Sequence, residues 1–260
     1  MPNPVTDLSG VTVVVTRPSH QAEILCQSIE ALGATALRFP VIEIRPSSNP
    51  ERLKAQLDHL ANFQLAIFIS ANAVFSTLRV LKKQQAWPTT LAIAAVGQAT
   101  AKAIADNGLI VSHISPAPYN SEALLSLPEL QNLHGQRVII FRGNGGRELL
   151  AEALQERGAE VEYAECYQRV VPDTDSRELF GLWDEGCLMP IVVTSNEGLK
   201  NLYSMIGPSH RQSLLRSPLI VVSQRAVDYA KELGFTQKPN VAKSASNEEI
   251  LTAIKQWKKA

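Results

Sequence analysis

The 260-residue chain lacks the features that mark several common classes of protein. Its 25 basic and 25 acidic residues leave no net charge, whereas a nucleic-acid-binding domain normally carries a basic surface. Three cysteines (Cys26, Cys166 and Cys187) are too few and too widely spaced for a disulfide framework or a metal site, and they fit a reducing compartment. No apolar run approaches the roughly 20 residues that span a bilayer, and residues 1–10 lack the apolar core of a signal peptide. We therefore predict a cytoplasmic protein that binds neither nucleic acid nor membrane.

Clusters that hold metals or nucleotides are also missing from the sequence. The histidines show no ligand spacing, so we predict no metal site. The glycine-rich segment Arg142–Arg147 lacks the Gly-Lys-Ser/Thr of a phosphate-binding loop. A dinucleotide-binding fingerprint would need a third glycine at position 148, which is Glu148. The sequence therefore predicts no nucleotide cofactor.

An internal duplication is the most informative feature that the chain does contain. Segments of the first half recur 125 residues later in a single register. This period is far longer than the 20 to 50 residues or so of solenoid repeats and has the size of a domain. We expect two similar units with a ligand bound between them. The matched pairs include Val13–Arg17 with Val138–Arg142, Gly33 with Gly158, and Phe68–Ser70 with Val193–Ser195.

The pattern of apolar residues predicts an α/β fold. Continuous β-branched runs such as Val11–Thr16 are typical of buried parallel strands, and they alternate with amphipathic helical segments. Two extended segments, Arg38–Arg45 and Tyr163–Val171, occupy equivalent places in the duplication. Each is either a second strand of its unit or a linker between units, and the pattern alone leaves both interpretations open.

Polar and glycine residues follow the predicted strands where each strand leads into a helix. Ligands of open parallel sheets bind at this edge, where helix N-termini present free N–H groups. The junctions contain no carboxylate, histidine or cysteine, which favours an anion-binding site over a hydrolase or a metalloenzyme. The serines could equally be plain N-caps, and Gly97 could simply permit a tight turn. The candidate binding residues are Arg17, Ser70, Ala71, Gly97, Gln98, Arg142, Ser195, Asn196, Ser223 and Gln224.

Six short motifs, none of them diagnostic alone, occur in order along nearly the whole chain. They are Val-Thr-Arg-Pro at 15–18, Ile-Ser-Ala-Asn-Ala-Val at 69–74, Ala-Val-Gly-Gln-Ala-Thr-Ala at 95–101, Arg-Gly-Asn-Gly-Gly-Arg at 142–147, Cys-Tyr-Gln-Arg at 166–169 and Thr-Ser-Asn-Glu-Gly-Leu at 194–199. Together they resemble the uroporphyrinogen-III synthase family. One junction departs from the family pattern, because Val222–Arg225 stands where Gly-Pro-Thr-Thr is common. This departure leaves the role of Gln224 open, and Arg225 either contacts a carboxylate or is simply solvated.

The resemblance implies two flavodoxin-like domains with parallel sheets, joined by a two-stranded linker. Domain 1 would comprise residues 1–38 and 172–260, and domain 2 residues 45–164. The linkers would be residues 39–44 and 165–171. The duplication alone predicts two sequential domains; this interleaved layout comes from the resemblance.

The resemblance also implies an activity. A cofactor-independent, metal-free hydro-lyase would cyclise hydroxymethylbilane, a linear tetrapyrrole, to uroporphyrinogen III with loss of water and inversion of ring D. The enzyme would be a monomer with transient contact to the preceding enzyme of the pathway. Tyr167 matches the family tyrosine that helps the hydroxyl group leave, although by itself it would be taken for a packing aromatic. Ser70, Thr100 and Ser195 match family positions that face the substrate.

Two functions from other classes compete with this one. A periplasmic-type binding protein also has two lobes between which the chain crosses twice, but the sequence shows no signal peptide. A nucleotide-dependent enzyme of doubly wound fold lacks its phosphate motifs here.

Overall fold

The computed structural model describes residues 8–81, 86–145 and 148–259. The chain packs into two compact units, one formed by the described residues up to Glu43 and from Val170 onwards, the other by Ile44–Arg169. Each unit has its own parallel sheet between two hydrophobic cores, which confirms the predicted fold class. Residues 1–7, and Gly146 and Arg147 of the glycine-rich motif, lie outside the described ranges. Among the described helices, none is long and apolar enough to cross a bilayer.

Strands and helices alternate along the chain, as the sequence predicts. The strands are β1 Thr12–Val15, β2 Thr35–Arg38, β3 Glu43–Pro46, β4 Leu65–Phe68, β5 Ala92–Ala95, β6 His113–Ile114, β7 Arg137–Gly143, β8 Glu160–Val170, β9 Ile191–Val192, β10 Leu219–Val221 and β11 Asn240–Val241. The helices are α1 Ser19–Glu30, α2 Pro50–Asp58, α3 Ala71–Val80, α4 Gln98–Asp106, α5 Ser121–Leu125, α6 Leu149–Glu156, α7 Arg177–Asp184, α8 Asn196–Met205, α9 Arg211–Arg216, α10 Gln224–Leu233 and α11 Asn247–Lys259.

Each sheet exchanges strands between the two copies of the duplication. The first unit has the order β2-β1-β9-β10-β11, and the second has β3-β8-β7-β4-β5-β6. In chain order the first sheet reads 2-1-3-4-5, as in flavodoxin-like sheets. Without the added β3, the second sheet reads 5-4-1-2-3, which is the same arrangement with the last two strands of the unit in the place of the first two. The first sheet therefore takes two strands from the first copy and three from the second, and the second sheet takes four from the first copy and two from the second.

The 125-residue register holds for most of the chain and slips by one near its end. Helices α3 and α8 begin and end at positions that differ by 125. The helix after the next strand is preceded by Gly97 in the first copy and by Ser223 in the second, an offset of 126. An offset of 125 would pair Gly97 with Val222, but the structural equivalent of Gly97 is the following residue, Ser223.

The two segments left open between strand and linker behave differently. Strand β8 continues to Val170, so residues 165–170 lie within the second sheet, where the family resemblance implied a linker. In the other segment, Phe39 and Val41 are buried in a core of the first unit, and β3 begins at Glu43. The boundaries between units therefore fall after Glu43 and after Arg169.

Candidate functional site

Three helices begin in the same way at the carboxyl edges of the two sheets. Ser70, Ser195 and Ser223 precede α3, α8 and α10 with extended backbones. Each hydroxyl oxygen accepts a hydrogen bond from the backbone N–H three residues later, at 3.2, 3.0 and 3.2 Å respectively. All three serines are therefore N-caps. Capping uses a lone pair of the oxygen, so the hydroxyl hydrogen remains free to donate to a second partner.

The fourth junction is built on a glycine. Gly97 precedes α4 with a φ of +101°, a conformation that favours glycine. In the first turn, the buried Thr100 hydroxyl donates to the Val96 carbonyl at 3.2 Å. The Gln98 side-chain amide donates to the Tyr119 hydroxyl at 3.0 Å. Tyr119, which none of the six sequence motifs contains, is exposed and has a φ of +59°. The Thr100 hydroxyl is thus engaged within its own helix, whereas Gln98 and Tyr119 form an exposed polar pair.

The residues that open the other helices have few side-chain partners. Ala71 offers only its backbone at the start of α3. The Asn196 amide reaches the Arg225 carbonyl at 3.5 Å, and the Gln224 amide donates to Asp228 one turn along at 3.0 Å. Ala71, Asn196 and Gln224 are each the first residue of their helix, so their N–H groups belong to the donors that a helix leaves unsatisfied.

Tyr167 and Ser70, 97 residues apart in sequence, are brought into contact. The Ser70 Oγ and the Tyr167 Oη lie 3.1 Å apart, within hydrogen-bonding distance. The Tyr167 side chain is buried, with 3% of its surface exposed. A phenol thus stands next to a helix N-terminus at the carboxyl edge of the second sheet.

A bulge in β8 directs the Tyr167 side chain to this position. Arg142 pairs with Glu165, but the next residue of β7, Gly143, pairs with Tyr167, so Cys166 is the extra residue. A bulge bends its strand and redirects the side chains beyond it. Cys166 and Tyr167, although adjacent, consequently pack in the same hydrophobic cluster.

Gly143 leaves room for the phenol ring. A Cβ atom at Gly143 would lie 2.7 Å from Cε2 and 2.8 Å from Cζ of Tyr167, well inside van der Waals contact. The neighbouring Asn144 holds the backbone on either side of the ring. Its N–H donates to the Tyr167 carbonyl at 2.9 Å, and its side-chain oxygen accepts from the Arg169 N–H at 2.7 Å.

A second contact fixes the bulge to α3. The Thr77 hydroxyl donates to the Cys166 Sγ at 3.1 Å, and both side chains are buried. Burial raises the pKa of the Cys166 thiol to about 12, so the group remains a neutral thiol near pH 7. Helix α3 therefore touches successive residues of the bulge through Ser70 and Thr77.

Arg142, a predicted binding residue, is directed inward. Its Nε donates to the carbonyls of Gly143 and Gly145 at 3.3 and 3.1 Å, and its Nη1 pairs with Glu148 at 3.2 Å. The guanidinium also stacks over the Tyr163 ring, 4.3 Å from its centroid, and the Arg142 side chain is only 4% exposed. Burial raises the pKa of Tyr163 to about 12. These contacts hold the turn after β7 and give Arg142 little access to a ligand.

Arg17 has a different environment in the first unit. It follows β1 and is 9% exposed. Its Nη1 donates to the Asn247 side chain at 2.7 Å, and its Nη2 donates to the Ala245 carbonyl. Both partners are neutral, and Arg17 forms no ion pair within the described part of the chain. Because Arg17 is buried, its charge is poorly solvated, and this burial lowers the pKa of its guanidinium. An anion would stabilise this cation.

Comparisons with known proteins cover most of the chain. The family model described as uroporphyrinogen-III synthase HemD matches residues 24–252. The chain is 38% identical over 247 residues to uroporphyrinogen-III synthase of Escherichia coli K12, covering 94% of this chain and 100% of the relative. It is 39% identical over 247 residues to the enzyme of Salmonella typhimurium LT2, with 94% and 100% coverage.

Solved structures share the fold. A mutant uroporphyrinogen III synthase of Thermus thermophilus has a TM-score of 0.64 at 21% identity, with 96% of this chain and 100% of that chain covered. The protein from Helicobacter pylori 26695 has a TM-score of 0.61 at 17% identity, with 95% and 99% coverage.

Proposed function

Because the chain belongs to the uroporphyrinogen-III synthase family, whose members are enzymes of tetrapyrrole synthesis, we propose that it cyclises hydroxymethylbilane to uroporphyrinogen III with inversion of ring D. The reaction loses water and makes the protein a hydro-lyase. The linear substrate is reactive enough to close unaided to the unrotated isomer, so the enzyme must mainly hold it and assist one departure. This chemistry needs positioning and a proton donor and requires no cofactor.

The observation that carries this proposal is the buried phenol of Tyr167 beside the N-terminus of α3. A phenol is protonated at neutral pH, so it can donate to a departing hydroxyl group but is a poor base. As the carbon–oxygen bond of the hydroxymethyl group breaks, the hydroxide leaves with the phenol hydrogen as water. An azafulvene cation and a phenolate remain.

Ring D then attacks this cation through its substituted position, which gives a spiro intermediate. The bond between this position and the methylene bridge to ring C then breaks and re-forms at the unsubstituted position of ring D, so the macrocycle closes with ring D inverted. The proton that ring D loses from that position returns to the Tyr167 oxygen. A single positioned acid accelerates such a step by about 10² to 10⁴. The choice of isomer depends on how the substrate is folded, which is determined by its carboxylates.

Each unit carries donors that suit the carboxylates of the substrate. In the first unit, Arg17, which has no ion-pair partner among the described residues, lies at the same sheet edge as the helix starts at Ser195 and Ser223. In the second unit, the N–H groups at Ser70 and Gly97 and the side chain of Gln98 are available. Ala71, Asn196 and Gln224 contribute backbone donors, and Thr100 supports α4 through its own hydrogen bond. Arg142 acts indirectly, by fixing the turn that follows Gly143.

Two further properties belong to this proposal. Among the described residues Cys26 and Cys166 are buried and Cys187 is exposed, all as free thiols, which fits a reducing cytoplasm. We also expect a monomer that contacts the preceding enzyme of the pathway only transiently.

An isomer-resolved assay tests the function. The protein is incubated with hydroxymethylbilane generated enzymatically, and uroporphyrinogens I and III are separated by chromatography. The proposal predicts mostly isomer III without added nucleotide or metal, whereas buffer alone gives isomer I. A binding protein would leave the buffer ratio unchanged, and a nucleotide-dependent enzyme would act only after its nucleotide is added. Either result would refute the proposal.

A further inference from the structure

We propose that Ser70 is a positioning residue, which donates its hydroxyl hydrogen to the Tyr167 Oη and thereby leaves the phenol hydrogen for the substrate. The inference rests on the proposed function of Tyr167 as the proton donor. It gives Ser70 a role in turnover that is distinct from binding a carboxylate.

Either oxygen can donate at the distance that separates them. Ser70 Oγ accepts from the Ala73 N–H at 3.2 Å and lies 3.1 Å from Tyr167 Oη. If Tyr167 donates, its hydrogen is held by Ser70, and the Ser70 hydrogen has no acceptor among the described residues. If Ser70 donates, the phenol hydrogen is the one without an acceptor on the described part of the protein. Only the second arrangement leaves the phenol hydrogen for a substrate, and it is therefore the one that the proposed function of Tyr167 requires.

The surroundings of the ring keep this arrangement in place. Tyr167 is 3% exposed, its ring rests on Gly143, and its backbone is held by Asn144. A ring held in this way has little freedom to move its hydroxyl group away from Ser70. The orientation of the phenol hydrogen is therefore determined mainly by which oxygen donates.

The other unit has the same cap without the phenol. Ser195 caps α8 with the same backbone conformation as Ser70, 125 positions later. The equivalent of Tyr167 in the duplication is Ile42, which packs against a core of the first unit. Ser195 is therefore a natural control, because it caps a helix and has no tyrosine to orient.

The hydrogen bond from Ser70 also gains strength during the reaction. When water leaves, negative charge develops on the Tyr167 oxygen. A hydrogen bond to a charged acceptor is roughly twice as strong as one between neutral groups. Loss of Ser70 should consequently lower the rate of the chemical step and have little effect on substrate affinity.

Steady-state kinetics of Ser70 variants test the inference. We expect kcat of Ser70→Ala to fall about tenfold and KM to change less than twofold. A tenfold fall corresponds to the loss of one hydrogen bond of about 1.4 kcal/mol in the transition state. Ser70→Thr restores the hydroxyl group and should recover most of kcat. Ser70→Gly keeps most of the cap stability, so it separates the hydroxyl from the folding of α3. Ser195→Ala should raise KM with little change in kcat. Asn49→Ala removes the cap of α2 outside the site, so it is the control for the effect of losing a helix cap alone on kcat and KM.

A double-mutant cycle distinguishes this inference from the function on which it rests. Wild-type turnover in Tyr167→Phe would refute the role of Tyr167 itself. If Tyr167→Phe is slow, the inference predicts that adding Ser70→Ala lowers kcat no further. The inference is overturned if the two losses multiply, or if Ser70→Ala retains wild-type kcat while Tyr167→Phe does not.

Discussion

Replacing Gly143 with alanine should slow the enzyme because the new methyl group meets the Tyr167 ring. The added Cβ would lie 2.7 Å from Cε2, whereas ordinary contacts are 3.4 to 4 Å, so the ring must move by at least 0.7 Å. Gly143 has no positive φ, so the clash is the only obstacle to alanine. A displacement of about 1 Å can cost about 100-fold in rate. We expect kcat to fall about 10- to 100-fold, and overpacking to lower the free energy of unfolding by about 1 to 3 kcal/mol.

The assay is kcat and KM of Gly143→Ala, measured below its melting temperature, together with thermal unfolding. Gly181→Ala is the matched control, because a Cβ at Gly181 in α7 meets nothing within 4 Å. It should keep wild-type kinetics and gain up to about 1 kcal/mol from helix propensity. A folded Gly143→Ala enzyme with wild-type kcat, or with a raised KM alone, would refute the reasoning.

Three further predictions concern charge and protonation. Arg17→Gln should raise KM about three- to tenfold and weaken its salt dependence, with kcat maintained, because it removes a cation whose partners among the described residues are neutral; an unchanged KM would contradict this. Arg142→Met should lower the free energy of unfolding by about 1 to 3 kcal/mol, as measured by chemical denaturation, because it removes the hydrogen bonds to Gly143 and Gly145 and the ion pair with Glu148. Folding raises the pKa of Cys166 from 9.0 and that of Tyr163 from 10.0, each to about 12, so the folded state retains protons that the unfolded state releases. These two groups should therefore change the free energy of unfolding little below about pH 9 and lower it from there towards pH 12. The fall with pH should be less steep in Cys166→Ala than in the wild type. An equal slope in the two proteins would count against the buried thiol as its cause.

The sequence predicted the architecture better than the details of the site. Apolar strands alternate with helices regularly enough to predict both sheets, and the 125-residue register placed the caps Ser70 and Ser195 in equivalent positions. The exchange of strands between the sheets came only from the family resemblance, because local patterns do not determine which strands pair.

The bulge could not be predicted from the sequence. Alternation in a regular strand would turn Cys166 and Tyr167 to opposite faces, so only the register shift at Gly143 explains why both pack in one cluster. Arg142 shows the same limit. Its place at a strand end suggested a ligand contact, but its three carbonyl and carboxylate partners depend on how the following turn folds.

Turnover and product isomer of Tyr167→Phe decide whether the phenol is the proton donor. The substitution keeps the buried ring and removes only the hydroxyl group at the Ser70 contact. We predict that turnover falls about ten- to a thousandfold, within the range for loss of one positioned donor. Thermal stability should change little, and the residual product should remain mostly isomer III, because the bound carboxylates determine the fold of the substrate. Wild-type turnover in a folded Tyr167→Phe enzyme would contradict this role and leave Tyr167 as a packing residue.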